Sequence, residues 1–281
     1  MKLIRFGAKD SEKPGVELNG KRLDCSAHFN DWNRDFFNNG GLDKLKAFLE
    51  SDRNSLPEVD NSIRLGSPIA RPGMIMCIGL NYSDHAEESG MELPKEPVLF
   101  MKATNTLSGP NDDIVIPPSS IKTDWEVELG IIVNHDSYQL KNEAEGNEHI
   151  AGYTLVHDVS EREFQLEKEG QWVKGKSCPG FSPVGPYLVL KEDIADVLNL
   201  SMELSVNGQK MQQGNTKFMV FKPAYVVYYL SQFMQLEAGD LISTGTPPGV
   251  GLGMNPQVYL KRGDEVVLTI EGLGSQHQKF I

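Results

Sequence analysis

The stretch Thr123-Asp-Trp-Glu126-Val-Glu128-Leu-Gly-Ile-Ile-Val133 decides the fold class. It contains no proline and is rich in β-branched and aromatic side chains, so it reads as a strand over Trp125 to Asn134. Alternation sends Trp125, Val127, Leu129 and Ile131 to one face and Glu126, Glu128, Gly130 and Ile132 to the other. The second face opens with two carboxylates and then turns apolar. That pattern has two readings. Either this is the wet face of an amphipathic strand, or the glutamates are leaving solvent. In the second case their like charges raise each other's pKa unless a cation neutralises them.

Segments of the same kind lie on both sides of this stretch. Met74 to Gly79, Val98 to Lys102, Ala151 to Val159, Tyr187 to Leu190, Met202 to Asn207, Asp240 to Thr244 and Glu265 to Glu271 all read as strands. Between them fall Gly and Pro turn signals. Helices are fewer. Ser160-Glu-Arg-Glu163 has the form of a capping box opening a helix through about Glu169, and Pro223 opens another through Phe233. Upstream, Met1 to Phe6 and Val16 to Leu18 are short strands, Asn19-Gly20 is a hairpin turn, and Gly41 to Glu50 carries leucines at helical spacing. Ser67-Pro-Ile-Ala-Arg-Pro72-Gly73 reads as a hinge. The expected organisation is a small N-terminal α+β domain over residues 1–70 and a β-rich α+β domain over residues 71–281.

Composition narrows the partners. Among 281 residues, 27 Lys and Arg stand against 39 Asp and Glu, a net charge of −12. Neither a nucleic acid nor an anionic membrane surface is expected, since both require a basic footprint. The longest apolar stretches, such as Met74 to Leu80, fall far short of the ~20 residues a membrane-spanning helix needs. No secretory leader is read at the first residues, so a cytoplasmic location is expected. Cys25, Cys77 and Cys178 have no paired spacing and are read as free thiols.

Several residues can carry chemistry. Asp158 ends an apolar strand directly before a helix entry, as a site residue or as a turn residue satisfying local amides. If Asp158 meets Glu126 and Glu128, the site is anionic and all oxygen, which suits Mg2+ or Mn2+ better than zinc. His85 and Glu88 stand three apart. On a short helix they share a face, where the carboxylate makes the imidazole a stronger base for activating water. The alternative is a solvated helix in a polar loop. Lys176 is either a partner for a substrate carboxylate or oxyanion or a surface lysine. Thr244-Gly-Thr246-Pro-Pro-Gly249 lets backbone approach a ligand, and no phosphate-binding loop is present.

Taken in order, Gly79-x-Asn81-Tyr82-x-x-His85-x-x-Glu88, Glu96-Pro-Val-Leu-Phe-Met-Lys102, Glu126-x-Glu128, Asp158-x-x-x-Arg162-x-x-Gln165, Lys176 and Thr244-Gly-Thr246-Pro247-x-Gly249 closely resemble the fumarylacetoacetate hydrolase family. The likeness runs from about Pro72 to the C-terminus. It implies a catalytic domain built as a mixed β-sheet roll, a homodimer, and one Mg2+ or Mn2+ per site. Glu126, Glu128 and Asp158 match the metal carboxylates of that family. His85 and Glu88 match the water-activating pair of its acylpyruvate hydrolase branch, and Lys176 matches the site lysine. Arg162, Gln165, Lys102 and Thr246 match substrate-pocket positions. The further N-terminal aspartate ligand of fumarylacetoacetase proper has no counterpart here.

The activity implied is metal-dependent hydrolysis of a C–C bond in a 2,4-dioxo acid, giving pyruvate and a shorter acid. The substrate would be an acylpyruvate or a 2,4-dioxo-3-deoxy sugar acid, the latter from the likeness to a bacterial branch that carries the name ureidoglycolate lyase. The family also contains lyases, decarboxylases and isomerases acting on related 2-oxo acids such as ureidoglycolate or oxaloacetate. A non-catalytic metal-binding relative is the remaining alternative, because fold alone does not dictate function.

Overall fold

A computed structural model describes residues 1–84 and 93–281. Its strands in chain order are β1 (Lys2–Phe6), β2 (Lys13–Leu18), β3 (Lys21–Asp24), β4 (Glu58–Val59), β5 (Ile75–Gly79), β6 (Val98–Lys102), β7 (Leu107–Ser108), β8 (Thr123–Asp124), β9 (Val127–Val133), β10 (Ile150–His157), β11 (Ser160–Glu161), β12 (Ser182–Pro183), β13 (Leu188–Leu190), β14 (Ser201–Val206), β15 (Gln209–Asn215), β16 (Leu241–Ser243), β17 (Glu265–Ile270) and β18 (Gly274–Lys279). Ten of them form one mixed sheet in the order β4-β3-β2-β1-β13-β10-β9-β16-β5-β6. Within it β5 and β16 are parallel and the other neighbours antiparallel. A second, antiparallel sheet runs β15-β14-β17-β18. The expected β-rich α+β class is what is found.

β9 lies inside the larger sheet and is buried on both faces. Its alternation is as the sequence reads, but both faces are dry. Trp125, Val127, Leu129, Ile131 and Val133 pack into a core shared with Met202, Leu204 and Leu268 of the second sheet and with Val226 and Leu230 of the helix Pro223–Ser231. Ile132 enters a second core with Trp32, Phe37, Leu45 and Leu49 of the N-terminal region. The wet-face reading of Glu126 and Glu128 therefore fails, and the two carboxylates are 7% and 2% exposed.

The N-terminal strands extend the same sheet through β1 against β13, with Lys2 opposite Val189. Asn19 and Gly20 take φ values of 52° and 78°, as the tight β2–β3 hairpin requires. The expected boundary at Ser67–Gly73 falls on the connection from β4 to β5.

The expected capping box is corrected. Ser160 does not cap the following helix, because its residue is engaged in the β8–β11 pairing opposite Asp124 and its hydroxyl donates to Asp158 O at 3.0 Å. Glu161 caps instead, accepting from Glu163 N at 3.2 Å, and the helix is only Arg162–Leu166. The strand β18 carries no apolar alternation, because its inward side chains are Gln276 and Gln278, both fully buried. Each amide bonds to the chain beneath, Gln276 Nε2 to Leu155 O at 2.9 Å and Gln278 Oε1 to His157 Nδ1 at 2.9 Å.

Candidate active site

Because β10 is antiparallel to β9, and β9 to β16, the start of β9 lies beside the C-terminal ends of β10, β16 and β5. The β9–β10 ladder pairs Val127 with His157 and continues one step further, with Asp158 N donating to Glu126 O at 3.0 Å. Hydrogen bonding thus sets Asp158 beside Glu126, while the two-residue strand repeat sets Glu128 on the same face. Oxygen atoms of Glu126, Glu128 and Asp158 lie within 4.8 Å of one another, all buried.

The balancing cations come from distant parts of the chain. Lys176 Nζ donates to Glu126 Oε2 at 2.6 Å and to Asp158 Oδ2 at 2.7 Å. Arg162 Nη2 donates to the other Glu126 oxygen at 2.7 Å, Nη1 to Gln165 Oε1 at 2.9 Å and Nε to Asp124 Oδ2 at 2.8 Å. Lys102 contacts Asp158 Oδ1 and also donates to Val159 O at 3.0 Å and Phe181 O at 2.8 Å. Among the described residues Glu128 has no cationic partner. Its Oε2 accepts from Ser243 Oγ at 2.5 Å and Gly245 N at 2.9 Å. Gly245 is required there. Its φ is 96°, and a Cβ would fall 2.9 Å from Asn81 Cβ and from Ile78 O.

This asymmetry governs the titration. Burial first, then the charges of Asp158 and Glu126, push the Glu128 carboxyl up to about 8. Burial pushes Asp158 in the same direction, but Lys102 and Lys176 overcome it and bring the group down to about 2. Burial works against the charges on Lys176 and Arg162, and their carboxylate partners more than restore them. An all-oxygen, buried set with one carboxylate lacking a counter-cation fits a hard divalent ion such as Mg2+ or Mn2+.

The cluster opens into a cavity of about 600 Å³, lined by Glu126, Glu128, Arg162, Gln165, Lys176 and Thr246 on its polar side. Lys102 sits elsewhere, 3% exposed and beneath Asp158. The Thr246 hydroxyl faces inward structurally, donating to Val127 O at 2.9 Å and accepting from Gln212 Nε2 at 2.8 Å. His85 and Glu88 lie outside the described residues. The chain leading to them, Gly79 and Leu80, lines the cavity.

Sequence reasoning missed Asp124. It is fully buried, accepts from Gly251 N at 2.7 Å and Leu252 N at 3.0 Å, and ties Arg162 to the loop that walls the cavity. The signal was available, since Asp124, Glu126 and Glu128 share a period of two. Phe100 and Trp172 were missed too. Their rings meet edge-on at 5.3 Å, and Lys176 Nζ lies 5.0 Å from the Phe100 centroid.

The sequence model of the fumarylacetoacetate (FAA) hydrolase C-terminal family matches residues 74–281. A protein of Burkholderia multivorans is 48% identical over 280 residues, covering 99% of this chain and 98% of its own. The solved fumarylacetoacetate hydrolase of the psychrophile Exiguobacterium antarcticum is 34% identical with a TM-score of 0.88, covering 100% of this chain and 99% of that one. Maleylpyruvate hydrolase of Sphingobium sp. SYK-6, solved with manganese(II) and pyruvate, is 25% identical with a TM-score of 0.82 over 100% and 99% of the two chains. A family match over three quarters of the chain and a shared fold over all of it have one explanation: the protein belongs to the fumarylacetoacetate hydrolase family.

Proposed function

We propose that the protein is a divalent-metal-dependent hydrolase that cleaves the C3–C4 bond of a 2,4-dioxo acid to pyruvate and a shorter carboxylic acid. The observation that carries this reading is the buried Glu126, Glu128 and Asp158 set at the floor of a cavity that also presents Lys176. The likeness to a maleylpyruvate hydrolase solved with manganese(II) and pyruvate supports it.

Glu126, Glu128 and Asp158 would hold Mg2+ or Mn2+, which when bound supplies Lewis acidity at the 2-oxo acid end of the substrate. Arg162 and Gln165 orient the substrate at the polar wall, with Thr246 beside them. Lys102, under Asp158, keeps that ligand ionised. His85 takes a proton from water and Glu88 holds the imidazole for that step. The resulting hydroxide adds to C4, the C3–C4 bond breaks, and its electron pair becomes a pyruvate enolate whose charge Lys176 stabilises. Return of the proton to C3 completes pyruvate.

The test is turnover of a panel of 2,4-dioxo acids, oxaloacetate and ureidoglycolate with Mg2+ or Mn2+, with products identified by NMR. Pyruvate and the matching acid in equal amounts are expected. Consumption of oxaloacetate or ureidoglycolate with every 2,4-dioxo acid left intact would replace this reading with a decarboxylase or a lyase.

A further inference from the structure

The cavity is chemically lopsided. Away from the acid cluster its wall is Ile78, Leu80, Phe100, Trp172, Val250 and Leu252. Leu80 is held at a φ of 55°, a conformation that side-chain-bearing residues avoid. The next residue over-determines it. Asn81 is buried and its amide bonds to Thr244 O at 2.7 Å, Phe221 O at 3.0 Å and Phe221 N at 2.7 Å. An apolar residue is thus kept in a disfavoured backbone state at this wall.

The cations of the site are all committed. Arg162 spreads its three nitrogens over Asp124, Gln165 and Glu126, and Lys176 bridges Glu126 and Asp158. Lys102 is turned to Asp158 from beneath. Three cations therefore share the floor with four buried carboxylates, Asp124, Glu126, Glu128 and Asp158. With all ionised the floor is one charge negative, and a divalent ion turns it one charge positive, enough for a single substrate carboxylate. Among the described lining residues Arg162 and Lys176 are the only cations. A second carboxylate laid along the Phe100–Trp172 wall would be partly desolvated against hydrocarbon, with no counter-charge among the described lining residues.

We infer, on the reading of this cavity as a site for 2-oxo acids, that the acyl end of the substrate is uncharged and largely hydrocarbon. The site then takes monocarboxylic 2,4-dioxo acids and rejects dicarboxylic ones of the maleylpyruvate kind. The acyl chain lies along the Phe100–Trp172 wall and points toward Leu166, which lines the cavity at 46% exposure.

Two measurements on the Mn2+-loaded protein test this. Calorimetric Kd values compare 2-oxopentanoate with 2-oxoglutarate, which have the same carbon count and differ only in the terminal group. At least tenfold tighter binding of 2-oxopentanoate is expected, and equal or reversed affinities would overturn the inference. Turnover then compares 2,4-dioxoheptanoate with 2,4-dioxoheptanedioate, with a kcat/KM ratio of at least 100 expected. If the dioate is cleaved as well as the monoacid, this inference fails while the hydrolase reading stands. If neither is cleaved but 2-oxopentanoate still binds preferentially, the hydrolase reading fails and the inference stands. In Leu166→Arg the 2-oxopentanoate to 2-oxoglutarate preference should shrink at least fivefold, and an unchanged ratio would overturn the placement of the acyl end.

Discussion

Lys176 Nζ lies 2.7 Å from Asp158 Oδ2, with both side chains buried. At that separation and burial the pair is an electrostatic unit, and the 2.6 Å contact to Glu126 Oε2 extends it to a second acid. Removing the cation leaves Glu126 with Arg162 alone and Asp158 with Lys102 alone, and adds one uncompensated negative charge in a dry place. Lys176→Met should therefore lower the stability of the metal-free protein by about 3–5 kcal/mol. Excess Mn2+ should recover part of the loss, since it binds the folded state only. Urea unfolding with and without Mn2+ checks both, and a variant as stable as wild type without metal would refute the balance described.

Glu128 is the complementary case, buried without a cationic partner among the described residues. In Glu128→Gln the amide oxygen can still accept from Ser243 and Gly245, so metal-free stability should stay within about 1 kcal/mol of wild type. Mn2+ affinity should nevertheless fall at least tenfold, because an ionised ligand is lost. Retained affinity by titration calorimetry would remove Glu128 from the ligand set.

Asp124 reaches the site through Arg162 and through the Gly251–Leu252 loop. Asp124→Asn turns an Oδ2 that accepts from Arg162 and Leu252 N into a donor, breaking both bonds. A loss of about 3 kcal/mol in stability is expected, in the range for a broken buried ion pair. A fall in kcat/KM larger than the fall in Mn2+ affinity would mark Asp124 as positioning Arg162, and equal falls would make it a support of the metal ligands.

If His85 and Glu88 activate water, His85→Ala should lower kcat for dioxo-acid hydrolysis by about 10²–10⁴ with Mn2+ affinity unchanged. Adding Glu88→Ala should cost little more, because the two act as one unit. Oxaloacetate decarboxylation, which needs no hydrolytic water, is the control. Equal loss of both activities, or loss of metal with the histidine, would assign His85 a different role.

Asp240 supplies a pH test of stability. Its carboxylate accepts from Met74 N at 2.7 Å and Glu237 N at 2.9 Å. Burial still pushes its pKa up to about 6 from an ordinary value of 3.8. The folded state therefore holds this proton more tightly than the unfolded chain does. The contribution of the group is greatest below the unfolded pKa and declines as pH rises through about 6, by on the order of 2–3 kcal/mol. Urea unfolding of wild type and Asp240→Asn between pH 4 and pH 7 should show wild type losing stability relative to the variant as pH rises. A flat difference would contradict the shift.

The sequence by itself determined the side chains that share a face. Strand alternation put Glu126 with Glu128 and the Asn19-Gly20 pair marked its hairpin, both by local geometry, because a strand repeats every two residues whatever surrounds it. The ordered resemblance to the fumarylacetoacetate hydrolase family singled out Asp158, Arg162 and Lys176 together. Only the tertiary structure decided what covers each face. Glu126 and Glu128 became dry because β10 and β16 flank β9 and two separate cores close over it. Gln212, Gln276 and Gln278 look like solvent-facing strand residues in sequence, yet all three are buried, spanning the two sheets by hydrogen bonds. Lys102 meets Asp158 across 56 residues of chain and Lys176 meets Glu126 across 50. Burial and charge balance are set by such distant neighbours, and local periodicity carries no record of them.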